Sequence, residues 1–248
     1  MQGAFTLRAG ERGYSKLAST GPTSSYVAGH PNAAITRHSS FNFNDYQSGR
    51  AGFGRVRVFG DEVFSGSGCG YNMHAHHDFV ICAFVLDGQL THINTVGNID
   101  QLSRNDYYVF SAGSGGKHSE LNLRGEDMNA IYIWFLPQQL YLPPSYHRSH
   151  FDAQAGRNRL VTLVGDAAGA LPIPQDVRVS RFVADAPVAQ TYRLISPRHG
   201  VYAFVIDGAV KFDGTSLGRR DSAAVWGVDS VAYEAAGDAD VLFVETVM

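Results

Sequence analysis

The sequence predicts an all-β protein, and three observations lead to this prediction. Short runs rich in β-branched and aromatic residues recur along the 248-residue chain, and Gly, Asn, Asp or Ser bounds each of them. Long helical periodicity of apolar residues is nearly absent. Glycine contributes 27 residues, as expected where tight turns join many strands. This pattern favours a β barrel or a β sandwich.

The first half of the chain contains six such runs, which read FTLR, GRVRVFG, FVICAFVLDG, LTHINTV, YYVFSAG and NAIYIWFL. In VLDGQL an Asp-Gly turn joins two strand-like runs, which is a strong hairpin signal. Residues 20–34 are expected to form a surface loop or insertion rather than a flap. Pro137, Pro143 and Pro144 break any regular element over residues 136–158, so we expect a loop there.

The second half of the chain echoes the first. GVYAFVIDGAVKFDG repeats the strand, Asp-Gly turn and strand of FVICAFVLDGQLTHI. An internal repeat of a whole barrel is the simplest explanation. We therefore predict two domains, residues 1–140 and residues 141–248.

Charge and cysteine content exclude several classes of protein. The net charge is −3 and no dense run of Lys or Arg is present, which argues against direct nucleic-acid binding. Cys69 and Cys82 are the only cysteines, too few for a disulfide framework. The N-terminus lacks the apolar core of a signal peptide, and no apolar run could span a bilayer. We expect a cytoplasmic protein with free thiols and no membrane partner.

The stretch MHAHHDF carries three of the ten histidines. If it is a strand, His74 and His76 share one face with Asp78, and His77 points the other way. Imidazoles at positions i and i+2 can converge on one metal ion. Taken alone, the stretch fits exposed or hydrogen-bonded histidines equally well.

A second segment, SAGSGGKHSELN, places His118 and Glu120 at the same spacing. Two such pairs from separate strands supply three imidazoles and one carboxylate. A mixed nitrogen and oxygen set suits a redox-capable divalent metal with positions left for water, substrate or oxygen. A structural zinc site would instead be closed and rich in cysteine.

Spacing around these residues resembles a known family. Five residues separate Gly68 from His74, and His-x-His follows, as in the cupin pattern. The glutamate that cupins carry soon after the pair is missing at Val80 and Ile81. Together with RHSSFNFNDY, HAHHDFVICAFVLDGQLTHINTVGN, SAGSGGKHSELN and LPPSYHRSHF, this resembles the pirin family of bicupins. The family places its carboxylate ligand two residues after the third histidine.

The resemblance implies a fold and a ligand set. The fold is a bicupin of two double-stranded β-helix (jelly-roll) barrels in one chain. The implied metal ligands are His74, His76, His118 and Glu120. Residues 1–140 would form the metal-binding cupin domain. Residues 141–248 would form a cupin domain without its own metal, since no histidine follows His199.

The chain also departs from the family pattern, which usually reads His-Pro-His followed by Arg or Lys. Here Ala75 removes the φ constraint of proline without removing a ligand, and His77 takes the basic position. Val80 replaces a frequent glutamate, which changes the surroundings of the site. We expect Asp78 and His92 to support the ligands from outside the metal's coordination sphere.

Two functions follow from the resemblance. The first is a dioxygenase of the quercetin 2,3-dioxygenase type, which would cleave a flavonol-like aromatic substrate with O2. Glu120 would then be the catalytic base. Fe is the expected metal, and Ni, Cu, Mn, Co and Zn are the alternatives. The second is a metal- or redox-responsive regulatory module that acts through protein partners without turnover.

Overall fold

The computed structural model describes residues 2–43 and 46–248, which divide into two compact units. The N-terminal unit consists of Gly13–Gly52 and Val56–Phe151. The C-terminal unit consists of Asp152–Met248, Phe53–Arg55 and the chain as far as Arg12.

The described residues form strands and two short 3-10 helices, Ala9–Glu11 and Gly21–Thr23, and contain no α-helix. The strands of the first part of the chain are β1 (Gly3–Leu7), β2 (Gly13–Ala18), β3 (Val27–Ala28), β4 (Ala34–Ser39), β5 (Val56–Ser65), β6 (Cys69–His76), β7 (Val80–Asp87), β8 (Gln89–Asn94), β9 (Ile99–Ser103), β10 (Asp106–Ser111), β11 (Gly116–Asn122), β12 (Met128–Phe135) and β13 (Ser145–His150). The remaining strands are β14 (Leu160–Val164), β15 (Val177–Ala184), β16 (Val188–Arg193), β17 (His199–Phe212), β18 (Thr215–Leu217), β19 (Ser222–Trp226) and β20 (Ser230–Val247). Among the residues described, no helix has the length and apolar character needed to cross a membrane.

The N-terminal unit is built from two antiparallel sheets. One has seven strands in the order β13-β10-β7-β12-β5-β4-β2, and the other has five in the order β3-β6-β11-β8-β9. Ile81, Ala83 and Val85 of β7 share one buried cluster with Leu90 of β8 and Leu102 of β9. Both sheets therefore contribute side chains to one core, as in a jelly roll, and the predicted all-β, two-cupin fold is confirmed.

The C-terminal unit contains a single eight-stranded sheet ordered β1-β19-β17-β20-β15-β14, with β16 and β18 paired to β20 and β17. Its long strands β17 and β20 have 14 and 18 residues. The first part of β20 pairs with β16, and its last part pairs with β15. Strand β20 therefore pairs with different strands along its length. Its pairing with β17 shifts register at two points.

The boundary of the compact units differs from the predicted division between residues 140 and 141. The cause is the pairing of strands that lie far apart in the sequence. Strand β1 pairs with β19 and so belongs to the C-terminal unit. Strand β13 pairs with β10, which keeps residues 141–151 in the N-terminal unit. The predicted loop over residues 136–158 therefore contains a strand. Its alternation is hidden because β13 is a polar edge strand with no fully buried residue.

The two Asp-Gly pairs form corners, so the hairpin predicted at the first pair, in VLDGQL, is wrong. Strands β7 and β8 belong to different sheets, and β17 continues through its Asp-Gly pair with a shift in register. Gly88 and Gly208 have φ values of 69° and 74°. A Cβ at Gly88 would lie 2.5 Å from the carbonyl oxygen of Asp127, and one at Gly208 would lie 2.1 Å from that of Asp238. The same close approach occurs in both units, which is what an internal repeat predicts.

Replacing either corner glycine by alanine is expected to destabilise the protein. Gly88→Ala and Gly208→Ala each combine a left-handed backbone with a steric clash, so we expect a loss of about 1–3 kcal/mol in the free energy of unfolding. Urea unfolding monitored by circular dichroism measures it. Gly125→Ala is the matched control, since nothing lies within 4 Å of a Cβ placed there. Equal stability of all three variants would contradict the corner role.

Candidate metal centre

Antiparallel pairing of β6 with β11 brings the predicted ligands together. His118 lies directly opposite His74, and Gly116 lies opposite His76. The ring centroids are 4.5 Å apart for His74 and His118, and 4.9 Å apart for each pair that includes His76. One nitrogen from each ring lies within 4.8 Å of the other two. The three imidazoles thus face a common point.

Glu120 completes the predicted set from the same strand as His118. Its Oε2 atom lies 3.7 Å from Nε2 of His118. Its Oε1 atom accepts a hydrogen bond from the Tyr108 hydroxyl, and both residues are buried. The carboxylate therefore has one oxygen held by protein and one directed to the histidine cluster.

The three imidazoles are neutral and have nitrogen atoms available to bind a metal. Nε2 of His76 and Nε2 of His118 are buried without a hydrogen-bond partner. Nδ1 of His74 donates to the carbonyl of Asn72 at 2.8 Å, which leaves its Nε2 as an acceptor. Burial lowers the pKa of His76 to about 4 and holds that of His118 well below its usual value. Buried polar atoms without partners are costly, and a transition metal would satisfy them, so these residues fit such an ion.

A second layer of residues contacts the predicted ligands on β11. His92 is fully buried, and its Nε2 lies 3.1 Å from Nδ1 of His118. Its ring stacks on Tyr146 at 4.9 Å and contacts Tyr108 at 4.3 Å. His92 thus lies where a supporting residue was expected. It also forms, with His118 and Glu120, a second close group of possible ligands.

Asp78 lies elsewhere than the strand alternation predicts. Strand β6 ends at His76, and Asp78 has a φ of 63°, so the alternation stops before it. One carboxylate oxygen of Asp78 lies 2.7 Å from Nδ1 of His77. The other accepts a hydrogen bond from the backbone N–H of Tyr141 at 2.6 Å. Its observed contacts hold the turn after β6 and involve neither His74 nor His76.

A cavity of about 380 Å³ opens beside the predicted ligands. Its lining residues are His74, Glu120, Leu17, Tyr26, Arg37, Phe43, Glu62, Tyr71, Tyr132 and Trp134. This volume is within the range of sites that bind small organic ligands, and most of the lining is aromatic or apolar. Burial raises the pKa of Glu120 to about 8, although the Tyr108 hydrogen bond acts in the opposite direction.

A buried polar cluster forms one wall of this cavity, and sequence reasoning missed it. Arg37 donates from Nε to Glu62 at 2.7 Å and from Nη2 to the Tyr71 hydroxyl at 2.8 Å. Tyr71 in turn donates to Glu62 at 2.9 Å. The sequence did offer a signal for this cluster. Arg37 lies inside the strand-like run TRHSS, and Glu62 lies inside GDEVF. Tyr71 faces the site because a bulge adds a residue to β6 between it and His74.

Two jelly-roll units in one chain, with a histidine and carboxylate site in the first, define a bicupin. The pirin family model matches residues 23–135, and a model described as the quercetinase C-terminal cupin domain matches residues 163–246. A protein of Escherichia coli named quercetin 2,3-dioxygenase is 30% identical over 217 residues, which cover 86% of this chain and 93% of that protein. The pirin-like protein of Caulobacter vibrioides is 32% identical over 81% of this chain and 87% of its own length.

Solved structures agree with this relationship. YhhW from Escherichia coli is 26% identical and superposes with a TM-score of 0.85, over 98% of this chain and 97% of that one. A structure of bacterial pirin YhhW in complex with nickel(II) gives a TM-score of 0.84 at 23% identity, over 98% of this chain and 99% of that one. The chain belongs to the pirin family.

Removal of one central histidine tests the ligand set. His118→Ala is expected to abolish stoichiometric metal binding, because His118 contacts each of the other predicted ligands. The metal content of protein reconstituted with Ni²⁺ and desalted, measured by plasma mass spectrometry, provides the readout. His147→Ala, an exposed histidine on β13, serves as the control and should retain full content. Unchanged metal in His118→Ala would disprove the ligand assignment.

Metal binding should also release a proton in a pH-dependent way. Glu120, with a pKa of about 8 in the metal-free protein, is protonated near pH 6.5 and mostly ionised at pH 9. The pKa of His76, about 4, and that of His118, well below its usual value, mean that these two ligands carry no extra proton at either pH, and burial lowers the pKa of His74 as well. We therefore expect about one proton released per metal at the lower pH and much less at the higher. Calorimetric titration in buffers of different ionisation enthalpy counts the protons. Equal release at both pH values would contradict this role for Glu120.

Proposed function

We propose that this protein is a metal-dependent dioxygenase of the quercetin 2,3-dioxygenase type, which cleaves a flavonol-like substrate with O2. The observation that carries the proposal is the cluster of three neutral imidazoles and one carboxylate beside an aromatic-lined cavity of about 380 Å³. Relatives named quercetin 2,3-dioxygenase that match most of the chain support it.

His74, His76, His118 and Glu120 would hold one divalent metal. Iron is the proposed ion, and Ni, Cu, Mn, Co and Zn are alternatives that the same donors accept. The structure of bacterial pirin YhhW in complex with nickel(II), which has the same fold, supports the choice of a divalent ion. When bound, the metal acts as a Lewis acid that binds the substrate's oxygen atoms and makes its enolic hydroxyl more acidic.

Glu120 is the residue placed to receive the hydroxyl proton. It lines the cavity, and Tyr108 holds only one of its oxygens. Oε2 is the oxygen directed to the histidine cluster, so it would serve either as a metal ligand or as the proton acceptor, and the proton of the substrate's O–H would pass to it only when it is not coordinated. Burial favours the protonated carboxyl, so the buried site assists this transfer.

The cavity walls would bind and orient a flat substrate. Trp134 stands edge-on to His76, with ring centroids 4.9 Å apart, and edge-on to Phe43 at 5.8 Å. The Arg37 guanidinium lies 4.0 Å from the centroid of the Phe43 ring. Rings fixed in this way favour planar aromatic ligands and exclude water from the reacting centre.

The C-terminal unit is proposed to hold no metal of its own. Its His199 is buried, with Nδ1 at 3.0 Å from Glu245 and Nε2 at 3.2 Å from Asp176. Nδ1 is hydrogen-bonded to Glu245, and a second carboxylate of the unit lies near Nε2. The proposed domain without a metal is the predicted 141–248 shortened to Asp152–Met248, together with strand β1, which pairs with β19.

The rival proposal is a regulatory module that changes with metal or redox state and acts through a protein partner. The same metal site would serve it. What separates the two proposals is turnover, because a regulatory module binds the metal without consuming a flavonol.

Turnover is tested by loading the purified protein with Fe, Ni, Cu or Mn and adding quercetin and O2. We expect loss of the flavonol absorbance, with at least a hundredfold slower loss in Glu120→Gln at equal metal content, since general-base catalysis contributes about 10²–10⁴-fold. His147→Ala should match the unmodified protein. Full metal occupancy without turnover, whichever metal is used, would exclude the flavonol proposal and favour the regulatory one.

A further inference from the structure

Residues 20–34, expected to be a surface loop, form an added edge of the metal-binding sheet. Strand β3 pairs with β6, with Val27 opposite Tyr71 and Ala28 opposite Gly70. Val27 and Ala33 are buried in the core of the N-terminal unit. The segment is therefore packed against the strand that carries two of the ligands.

Hydrogen bonds fix this segment at several points. Ser19 donates from its backbone N–H to the carbonyl of Ala33 at 3.1 Å, and Ala33 donates to that of His30 at 2.8 Å. The Thr23 hydroxyl donates to the carbonyl of Ala18. These bonds close the segment onto the end of β2, so its side chains hold defined positions.

Tyr26 is linked to the proposed ligand His74 by hydrogen bonds to Asn72. The backbone N–H of Asn72 donates to the carbonyl of Tyr26 at 2.9 Å. The carbonyl of Asn72 accepts the hydrogen bond from Nδ1 of His74. The position of Tyr26 relative to His74 is thus set by two consecutive hydrogen bonds of the β6 backbone.

Tyr26 and Leu17 stand at the junction of two spaces. Both line the cavity beside the ligands, and both line an outer groove of about 790 Å³. The other residues of the groove are Tyr14, Ser15, Lys16, Thr23 and Tyr46. The cavity is mainly aromatic and apolar, whereas the groove presents hydroxyl groups and an amine, so the two spaces suit different parts of one ligand.

We propose that Tyr26 is a specificity-determining residue, which packs on the part of a planar substrate remote from the metal and limits how much of it enters the groove. The groove takes a hydroxylated ring or a sugar attached to that part. This inference rests on the proposed function, because it assumes a substrate whose metal-binding group lies near His74 and Glu120. A polyhydroxylated group matches the hydroxyl-rich lining, and an aromatic ring matches Tyr26.

Three ligands with the same 3-hydroxy-4-pyranone group test the proposal: a single-ring hydroxypyranone, quercetin, and quercetin carrying a sugar on the ring remote from that group. Their Kd values are measured by calorimetry on Ni²⁺-loaded protein without O2. In Tyr26→Ala, binding of the single ring should stay within about twofold, and quercetin should bind about tenfold more weakly through loss of an aromatic contact. The glycoside should lose less affinity than quercetin in Tyr26→Ala, or bind more tightly, because removal of the tyrosine ring widens the junction. Tyr26→Phe should keep the original preferences.

Tyr141→Ala is the matched control, because this exposed tyrosine lines neither the cavity nor the groove. Metal content and melting temperature are compared for every variant. An unchanged ratio of quercetin to glycoside affinity in Tyr26→Ala overturns the proposal. If the unmodified protein binds the single ring but neither larger ligand, the flavonol function fails. The Tyr26 proposal then stands only if Tyr26→Ala admits one of the two larger ligands, and it is overturned otherwise.

Discussion

The candidate site depends on one constraint, the register between β6 and β11. Antiparallel pairing sets His118 opposite His74, and the alternation within each strand adds His76 and Glu120 on the same side. A slip of one residue would turn these side chains to the other face of the sheet. The bulge in β6 adds a second consequence, because it brings Tyr71 to the side of His74 and so joins the ligands to the Arg37 and Glu62 wall.

Burial then determines the chemistry of the ligands. Desolvation disfavours charge on His76, His92 and His118, so the imidazoles stay neutral and able to bind a metal. The same effect favours the protonated form of Glu120, and Tyr108 opposes it by donating to the carboxylate. An apolar cavity and a metal-ready donor set therefore have a common physical origin. His92 contacts His118, and Tyr108 donates to Glu120, so both predicted β11 ligands have polar neighbours that carry no charge of their own.

Strict periodicity predicted the strands and the ligand pairs and failed wherever the chain left the regular pleat. The Asp-Gly pairs at Gly88 and Gly208 look like hairpin turns in the sequence, yet they are corners at which a neighbouring backbone approaches too closely for a Cβ. Asp78 follows the His-x-His pair in register, but its positive φ ends the alternation. Tyr71 falls on the wrong face if β6 is assumed to be regular. Each error reflects a local backbone irregularity that residue spacing does not encode.

The sequence by itself determined the all-β class and the repeat of the barrel, and it predicted His74 with His76 and His118 with Glu120 as two pairs, because strand alternation and short-range spacing are local properties. Only the tertiary structure decided the cavity wall of Arg37, Glu62 and Tyr71, the support by Tyr108, the place of β1 in the C-terminal unit and the edge formed by residues 20–34. These features join residues far apart in the chain. Their contacts arise from sheet pairing and packing, which no short stretch of sequence specifies.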